Sequence, residues 1–138
     1  MSIENETVRT LVNRPTVDVD PDATLRQVAE TLAGDYIGVA VVRATPPWRG
    51  PGTHAEGVIS ERDIVRALAE GADPDDEIAQ NVMTLDLATV SPADTIARVA
   101  ECMLDNEIRH VPVMDDGLVV GVVSERDVLR TLLEERRA

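Results

Sequence analysis

The stretch GVISERDIVRAL, from Gly57 to Leu68, returns as GVVSERDVLRTL from Gly121 to Leu132. A duplication of this kind constrains the fold strongly. Each copy has to build the same supersecondary unit, and two copies are too few for a solenoid. The match extends upstream at a fixed offset. Moving the chain by 71 residues puts Pro21 on Pro92, Thr24 on Thr95, Leu25 on Ile96, Val28 and Ala29 on Val99 and Ala100, Glu30 on Glu101, Ile37 on Ile108 and Val42 on Val113. Beyond Val42 the offset falls to 64, so the first copy holds seven more residues between Val42 and Gly57. The sequence therefore predicts a two-repeat domain with a pseudo-twofold axis.

Each copy reads as strand, helix, strand, strand, helix, an α/β (α+β) pattern. PTVDV and LATV are short β-prone pieces. Asp20 before Pro21, and Ser91-Pro92-Ala93-Asp94, predict helix starts with proline at the first helical position. Leu25, Val28, Ala29 and Leu32 then fall on one helical face, as do Ile96, Val99, Ala100 and Met103. IGVAVV is matched by IRHVPV, GVI by GVV as short buried strands, and IVRALAE by VLRTLLEE as final helices. Asp115-Asp116-Gly117 is a hairpin signal. In its place the first copy carries RATPPWRGPGTHAE, whose Trp48 has three open roles: packing on its own subunit, a subunit contact, or a lid over a ligand. The boundaries that follow are 7–71 for the first repeat, 72–78 for a linker and 79–136 for the second.

Composition narrows the classes of function. The hydrophobic fraction of 43% suffices for a core, and that core must be aliphatic, with no Phe, one Trp and one Tyr. A formal net charge of −13 argues against nucleic acid and against anionic membrane surfaces, since both require a basic face. No run approaches the roughly 18 apolar residues of a membrane span, and MSIENETV lacks the pattern of a signal peptide, so the expected location is the cytoplasm. All thirteen basic residues are Arg. Cys102 stands alone, which rules out an intramolecular disulfide and cysteine metal clusters; within TIARVAECML it reads as a small buried hydrophobe. His54 and His110 lie in different copies, and no Ser-His-Asp, Cys-His or metal-ligand spacing is present. The chain therefore reads as no enzyme, with no catalytic residue, no metal and no required cofactor.

The repeated Ser-Glu-Arg-Asp supports two readings. Ser60 and Ser124, each followed three positions later by an acid, fit the capping box of a helix start. The same helix start, directly after a buried strand, also presents free N–H groups and the positive end of the dipole. An Asp one turn in can accept hydrogen bonds from adjacent hydroxyls such as a ribose diol. Capping does not explain why Glu-Arg is also repeated while Ala67 faces Thr131.

Gly-apolar-apolar-Ser-x-x-Asp-apolar at the end of a β-α-β-β-α unit, present twice, resembles the cystathionine-β-synthase (CBS) domain pair, or Bateman module. VMT at 82–84, SPADTI at 91–96 and IRHVPV at 108–113 belong to the same likeness, which covers about residues 7–136. The resemblance implies two packed CBS repeats and a non-catalytic regulatory module for an adenosine-containing ligand, an adenine nucleotide or an S-adenosylmethionine-like compound. It implies that Asp63 and Asp127 hold ribose hydroxyls and that Ser60 and Ser124 lie near phosphate. The base would lie against the segment entering the opposite repeat. That puts Val12, Asn13 and Thr16 near Asp127, and Met83, Thr84 and Ala88 near Asp63, with Val58 and Val122 as apolar walls.

The two sites are expected to differ. A basic pair before the apolar-Pro-Val strand reaches phosphate in many relatives, and Arg109-His110 stands there, whereas the first copy has Gly38-Val39. On so acidic a chain an anion needs local positive groups. Arg109, His110 and Arg126 serve the second site in this reading and Arg62 the first, so the Asp127 site is the expected better nucleotide site. Stand-alone modules of this type pair into homodimers and signal in trans to an effector protein. The competing expectation is a ligand-free dimeric interaction scaffold.

Overall fold

Offset by offset, the elements of the two copies coincide. The computed structural model describes residues 2–12, 15–35, 37–43, 57–86 and 88–137. Trp48, His54 and Asn13 lie outside the described residues. The chain divides into two compact units, Val17–Leu87 and Met1–Thr16 with Ala88–Ala138. In the first, β1 (Asp18–Val19) runs parallel to β2 (Val39–Val42), which pairs antiparallel with β3 (Gly57–Ser60). Helices α1 (Leu25–Asp35), α2 (Glu61–Ala69) and the short α3 (Ala79–Val82) complete it. The second unit has a 3-10 turn (Val8–Leu11), α4 (Ile96–Asn106), the antiparallel pair β4 (His110–Asp115) and β5 (Leu118–Ser124), and α5 (Glu125–Arg137).

The expected hairpin turn forms. Asp116 and Gly117 have φ of 51° and 77°, the two positive values of a type I′ turn, and β4 and β5 flank them directly. The first strand of each copy is shorter than expected. PTVDV is extended into the sheet only at Asp18–Val19, and among the described residues of LATV, 88–90, only Val90 bridges, to Val113. Pro21 and Pro92 follow closely, and proline has no N–H with which to continue a ladder.

The helix starts also correct the sequence reading. Asp20 and Ser91-Asp94 do not cap helices; they close turns ahead of them. Asp20 Oδ1 accepts the Asp22 N–H at 2.9 Å, and Asp94 Oδ2 accepts the Ser91 N–H at 2.7 Å. A residue before proline is driven out of the helical region, and short polar side chains then bond their neighbours' amides. The caps come later. Thr24 and Gln27 exchange side chain-to-amide bonds at 3.2 and 2.9 Å, and Thr95 Oγ1 accepts the Arg98 N–H at 3.1 Å. Of the expected helical faces, Leu25, Val28 and Leu32 are buried, as are Ile96, Val99 and Met103; Ala29 is exposed and Ala100 half-buried.

The cores repeat one another. Val19, Leu25, Val28, Leu32, Ala40 and Val42 fill the first, and at the offset of 71 they become Val90, Ile96, Val99, Met103, Val111 and Val113 of the second. Ile59 and Ile64 likewise become Val123 and Val128 at the offset of 64. Cys102 is buried in the second core, as its pattern predicted.

Each unit is completed by a segment that precedes the other copy in sequence. The Leu25 and Ile96 N–H groups donate to Glu77 O and Glu6 O, both at 3.0 Å. Ala79 donates to Ala23 O at 2.8 Å, and Val8 to Asp94 O at 2.9 Å. The same bonds recur at the same offset, so residues 2–12 stand to the second unit as 73–83 do to the first.

Candidate functional site

The repeated motif sits where a buried strand runs directly into a helix, at β3–α2 and at β5–α5. Ser60 is extended, with φ −107° and ψ 166°, and its Oγ accepts the Asp63 N–H at 3.1 Å. Asp63 Oδ2 returns the contact by accepting the Ser60 N–H at 2.9 Å. At the second junction Ser124 Oγ accepts the Asp127 N–H at 3.2 Å, and Asp127 Oδ2 accepts the Ser124 N–H at 2.8 Å. The Ser124 hydroxyl also donates to that carboxylate oxygen at 3.0 Å. Both motifs are thus capping boxes. The next amides are taken by the residues just ahead of β2 and β4, with Glu61 N–H donating to Gly38 O at 2.9 Å and Glu125 N–H to Arg109 O at 2.8 Å.

Capping uses only part of each carboxylate, which has about four lone-pair positions. The remaining positions are occupied differently. Thr84 Oγ1 donates to Asp63, 3.2 Å from Oδ1 and 3.3 Å from Oδ2. Arg130 Nη1 lies 3.3 Å from Asp127 Oδ1. Asp63 is buried, whereas Arg130 is 57% exposed, and an exposed pair at this spacing contributes only about 0.3–0.5 kcal/mol. The sequence carries no signal for the Arg130–Asp127 contact beyond the helical spacing of three.

Around Asp63 the structure gathers Ser60, Val58, Met83 and Thr84. Val58 and Thr84 exchange main-chain bonds, at 3.1 Å from the Val58 N–H and 2.7 Å from the Thr84 N–H. Gly57 permits this approach, because a Cβ there would stand 2.6 Å from Thr84 O and 3.0 Å from Met83 Sδ. Around Asp127 the unit brings Ser124 opposite His110 in the β4–β5 register, with Arg109 joined through its carbonyl. Val12 reaches the same strand, its Cγ1 lying 2.8 Å from where a Cβ on Gly121 would be.

Other expected residues are less closely drawn in. The Arg62, Arg109 and Arg126 side chains are exposed, and Val122 is half-buried opposite Pro112. Thr16 belongs to the unit that holds Asp127. Ala88, expected beside Asp63, packs on the second unit's core, at the position Val17 holds in the first. Among the described residues no group of His, Cys, Asp and Glu could hold a metal ion, and no helix is long and apolar enough to cross a membrane.

Known proteins share this arrangement. The CBS domain family model matches residues 8–70 and 78–134. The mitochondrial CBS domain-containing protein CBSX3 of Arabidopsis thaliana is 32% identical over 119 residues, 84% of this chain. The chain spans about half the length of the curated relatives it matches, 56% of CBSX3 and 43% of another. Among solved structures, the CBS domain protein PAE2072 from Pyrobaculum aerophilum, complexed with AMP, is 37% identical with a TM-score of 0.79. That likeness covers 96% of this chain and 99% of the other. The CBS domain pair of protein MJ0100, in complex with 5′-methylthioadenosine and S-adenosyl-L-methionine, shares the fold at 24% identity and a TM-score of 0.77, over 94% of this chain and 97% of that one. The doubled strand–helix junction and the doubled match have one meaning: this chain belongs to the CBS domain family and carries two CBS repeats.

Proposed function

We propose that this CBS domain pair is a non-catalytic regulatory module that binds an adenosine-containing ligand of the AMP, ADP and ATP class and signals in trans. The observation that carries this reading is the state of the two motif carboxylates. Asp63 and Asp127 each accept their own N-cap amide, Asp127 also accepts the Ser124 hydroxyl at 3.0 Å, and the Oδ1 oxygen of each is met by one long contact, from Thr84 at 3.2 Å and from Arg130 at 3.3 Å. A ribose diol offers two hydroxyl donors and so replaces that contact with a better-matched pair. The AMP complex of the 37% identical PAE2072 supports the choice of ligand. Ser60 and Ser124, with Arg62 at the first site and Arg109, His110 and Arg126 at the second, are the groups for phosphate. Val12, Thr16 and Val122 serve the base at Asp127, and Val58, Met83 and Thr84 at Asp63.

A thermal-shift screen with AMP, ADP, ATP, S-adenosylmethionine and NAD tests the reading. A ligand that binds only the folded chain stabilises it by about 2.7 kcal/mol at a hundredfold excess over Kd. Titrating Asp127→Ala and Asp63→Ala with AMP then ranks the sites. The expected outcome is a larger loss for Asp127→Ala; equal losses would remove the ranking.

A second reading, a ligand-free scaffold, is favoured by apolar surface. Val65 and Leu68 on α2 are exposed, and so are their counterparts Leu129 and Leu132 on α5, with Leu133 beside them. Such faces suit a second copy of the chain, and symmetric dimers are the commonest soluble oligomers. No thermal shift with any compound at millimolar concentration, together with a dimer in sedimentation, would select the scaffold.

A further inference from the structure

We infer that Thr84 is a latch on the Asp63 site: its hydroxyl occupies the carboxylate that a diol would use, so a ligand enters only by displacing it. The inference rests on the adenosine reading above and concerns what regulates one of its two sites. Thr84 is held in place by main-chain bonds to Val58 on both its N–H and its carbonyl, so its side chain starts from a fixed position. From there a single hydroxyl proton is shared between Oδ1 and Oδ2, at 3.2 and 3.3 Å. Both distances exceed the usual 2.5–3.0 Å of an O–H···O bond. The contact is therefore well placed and weak. Thr84 is itself exposed, so water is at hand to receive the displaced hydroxyl. A diol brings one proton for each oxygen, where the latch offers one for both.

Among the described residues, the Asp127 carboxylate has a different occupant. Its outer oxygen meets Arg130, a flexible and largely exposed cation, in an ion pair that salt weakens. The latch on Asp63 is neutral and is anchored by its own backbone. Thr84 therefore governs entry to the Asp63 site through a group unrelated to the missing basic arm of the first copy.

The test uses the full chain with Asp127→Ala, which leaves the Asp63 site to report, and calorimetric titration with adenosine, which has no phosphate. Thr84→Val and Thr84→Ala in this background are expected to bind adenosine about tenfold more tightly than the parent, and Thr84→Ser to return to the parent's affinity. 2′,3′-Dideoxyadenosine, which lacks the diol, is expected to show no gain. Each variant is first matched to the parent in thermal unfolding, and the Ala variant stands in should Val disturb the fold. Unchanged or weaker adenosine binding in both hydroxyl-free variants would overturn the latch. So would adenosine binding by the wild type through Asp127 alone, with none in any variant at the Asp63 site. No binding of adenosine or AMP by any form, wild type included, would instead overturn the adenosine reading and the latch with it.

Discussion

The carbonyl oxygen of Thr84 lies 2.6 Å from the point where a Cβ on Gly57 would stand, closer than real Cβ contacts come. At the related position, Gly121, the obstruction is the Val12 Cγ1 methyl at 2.8 Å. The obstacles differ in kind. A methyl turns aside by rotation about χ1, whereas the Thr84 carbonyl is tied into main-chain bonds with Val58. Gly57→Ala is therefore expected to be the costlier change, destabilising by about 2–3 kcal/mol against about 1 kcal/mol for Gly121→Ala. Urea unfolding of the two variants measures this, and equal costs would contradict the rigid approach at Thr84.

The caps give a second contrast. Ser60 and Ser124 each accept one amide bond, and the Ser124 hydroxyl also donates to its own Asp127, at 3.0 Å. Ser60→Ala is expected to cost about 1 kcal/mol, the usual worth of an N-cap. Ser124→Ala is expected to cost more, since it also removes a donor from a partly buried carboxylate. A smaller loss at Ser124 than at Ser60, read from denaturant midpoints, would count against the extra bond.

Much of this was legible because side-chain period survives duplication. Leu25 and Ile96, or Val42 and Val113, could be matched on sequence and reappear as matched core positions. The Ser-x-x-Asp pairs were legible for the same reason, since cap chemistry is local. Asp20-Pro21 and Ser91-Pro92 misled because turns and caps draw on the same residues, and only the backbone decides between them. Thr84 could be placed near Asp63 by resemblance. Its shared hydroxyl contact was not readable, because it joins residues 21 apart through a bridge to Val58.

The matched cores carry a third prediction. Leu25 and Ile96 are both fully buried at equivalent points of α1 and α4. Leu25→Ala and Ile96→Ala are each expected to cost about 2–5 kcal/mol, from lost transfer energy and the cavity left behind. Urea unfolding of both variants checks it, and a loss below about 1 kcal/mol at either site would deny that residue its core role.

Acid sensitivity separates the units, because α1 of the first carries Arg26, a cation that α4 of the second lacks at the matched place. Arg26 bonds Asp75 through Nε and Nη2, the latter at 3.0 Å, and this hydrogen-bonded pair holds the Asp75 carboxyl below its ordinary value. Glu77 is lowered too, chiefly by the Asn81 side-chain amide and then by the Ile78 N–H. At the offset of 71 Arg26 is replaced by Ala97, so the second unit has no such pair at that place. A carboxyl lowered in the folded state adds stability above its unfolded value, and that stability is lost as pH falls through the folded value. Arg26 and Asp75 are exposed and Glu77 is only half-buried, so the effect is small and screened by salt. Arg26→Gln returns Asp75 toward its ordinary value and is expected to flatten the fall in urea midpoint between about pH 5 and about pH 3 at low ionic strength. The difference from wild type should shrink in about 1 M salt, where the Debye length is about 3 Å. Parallel acid limbs for Arg26→Gln and wild type at low salt would show that the pair makes no contribution to stability.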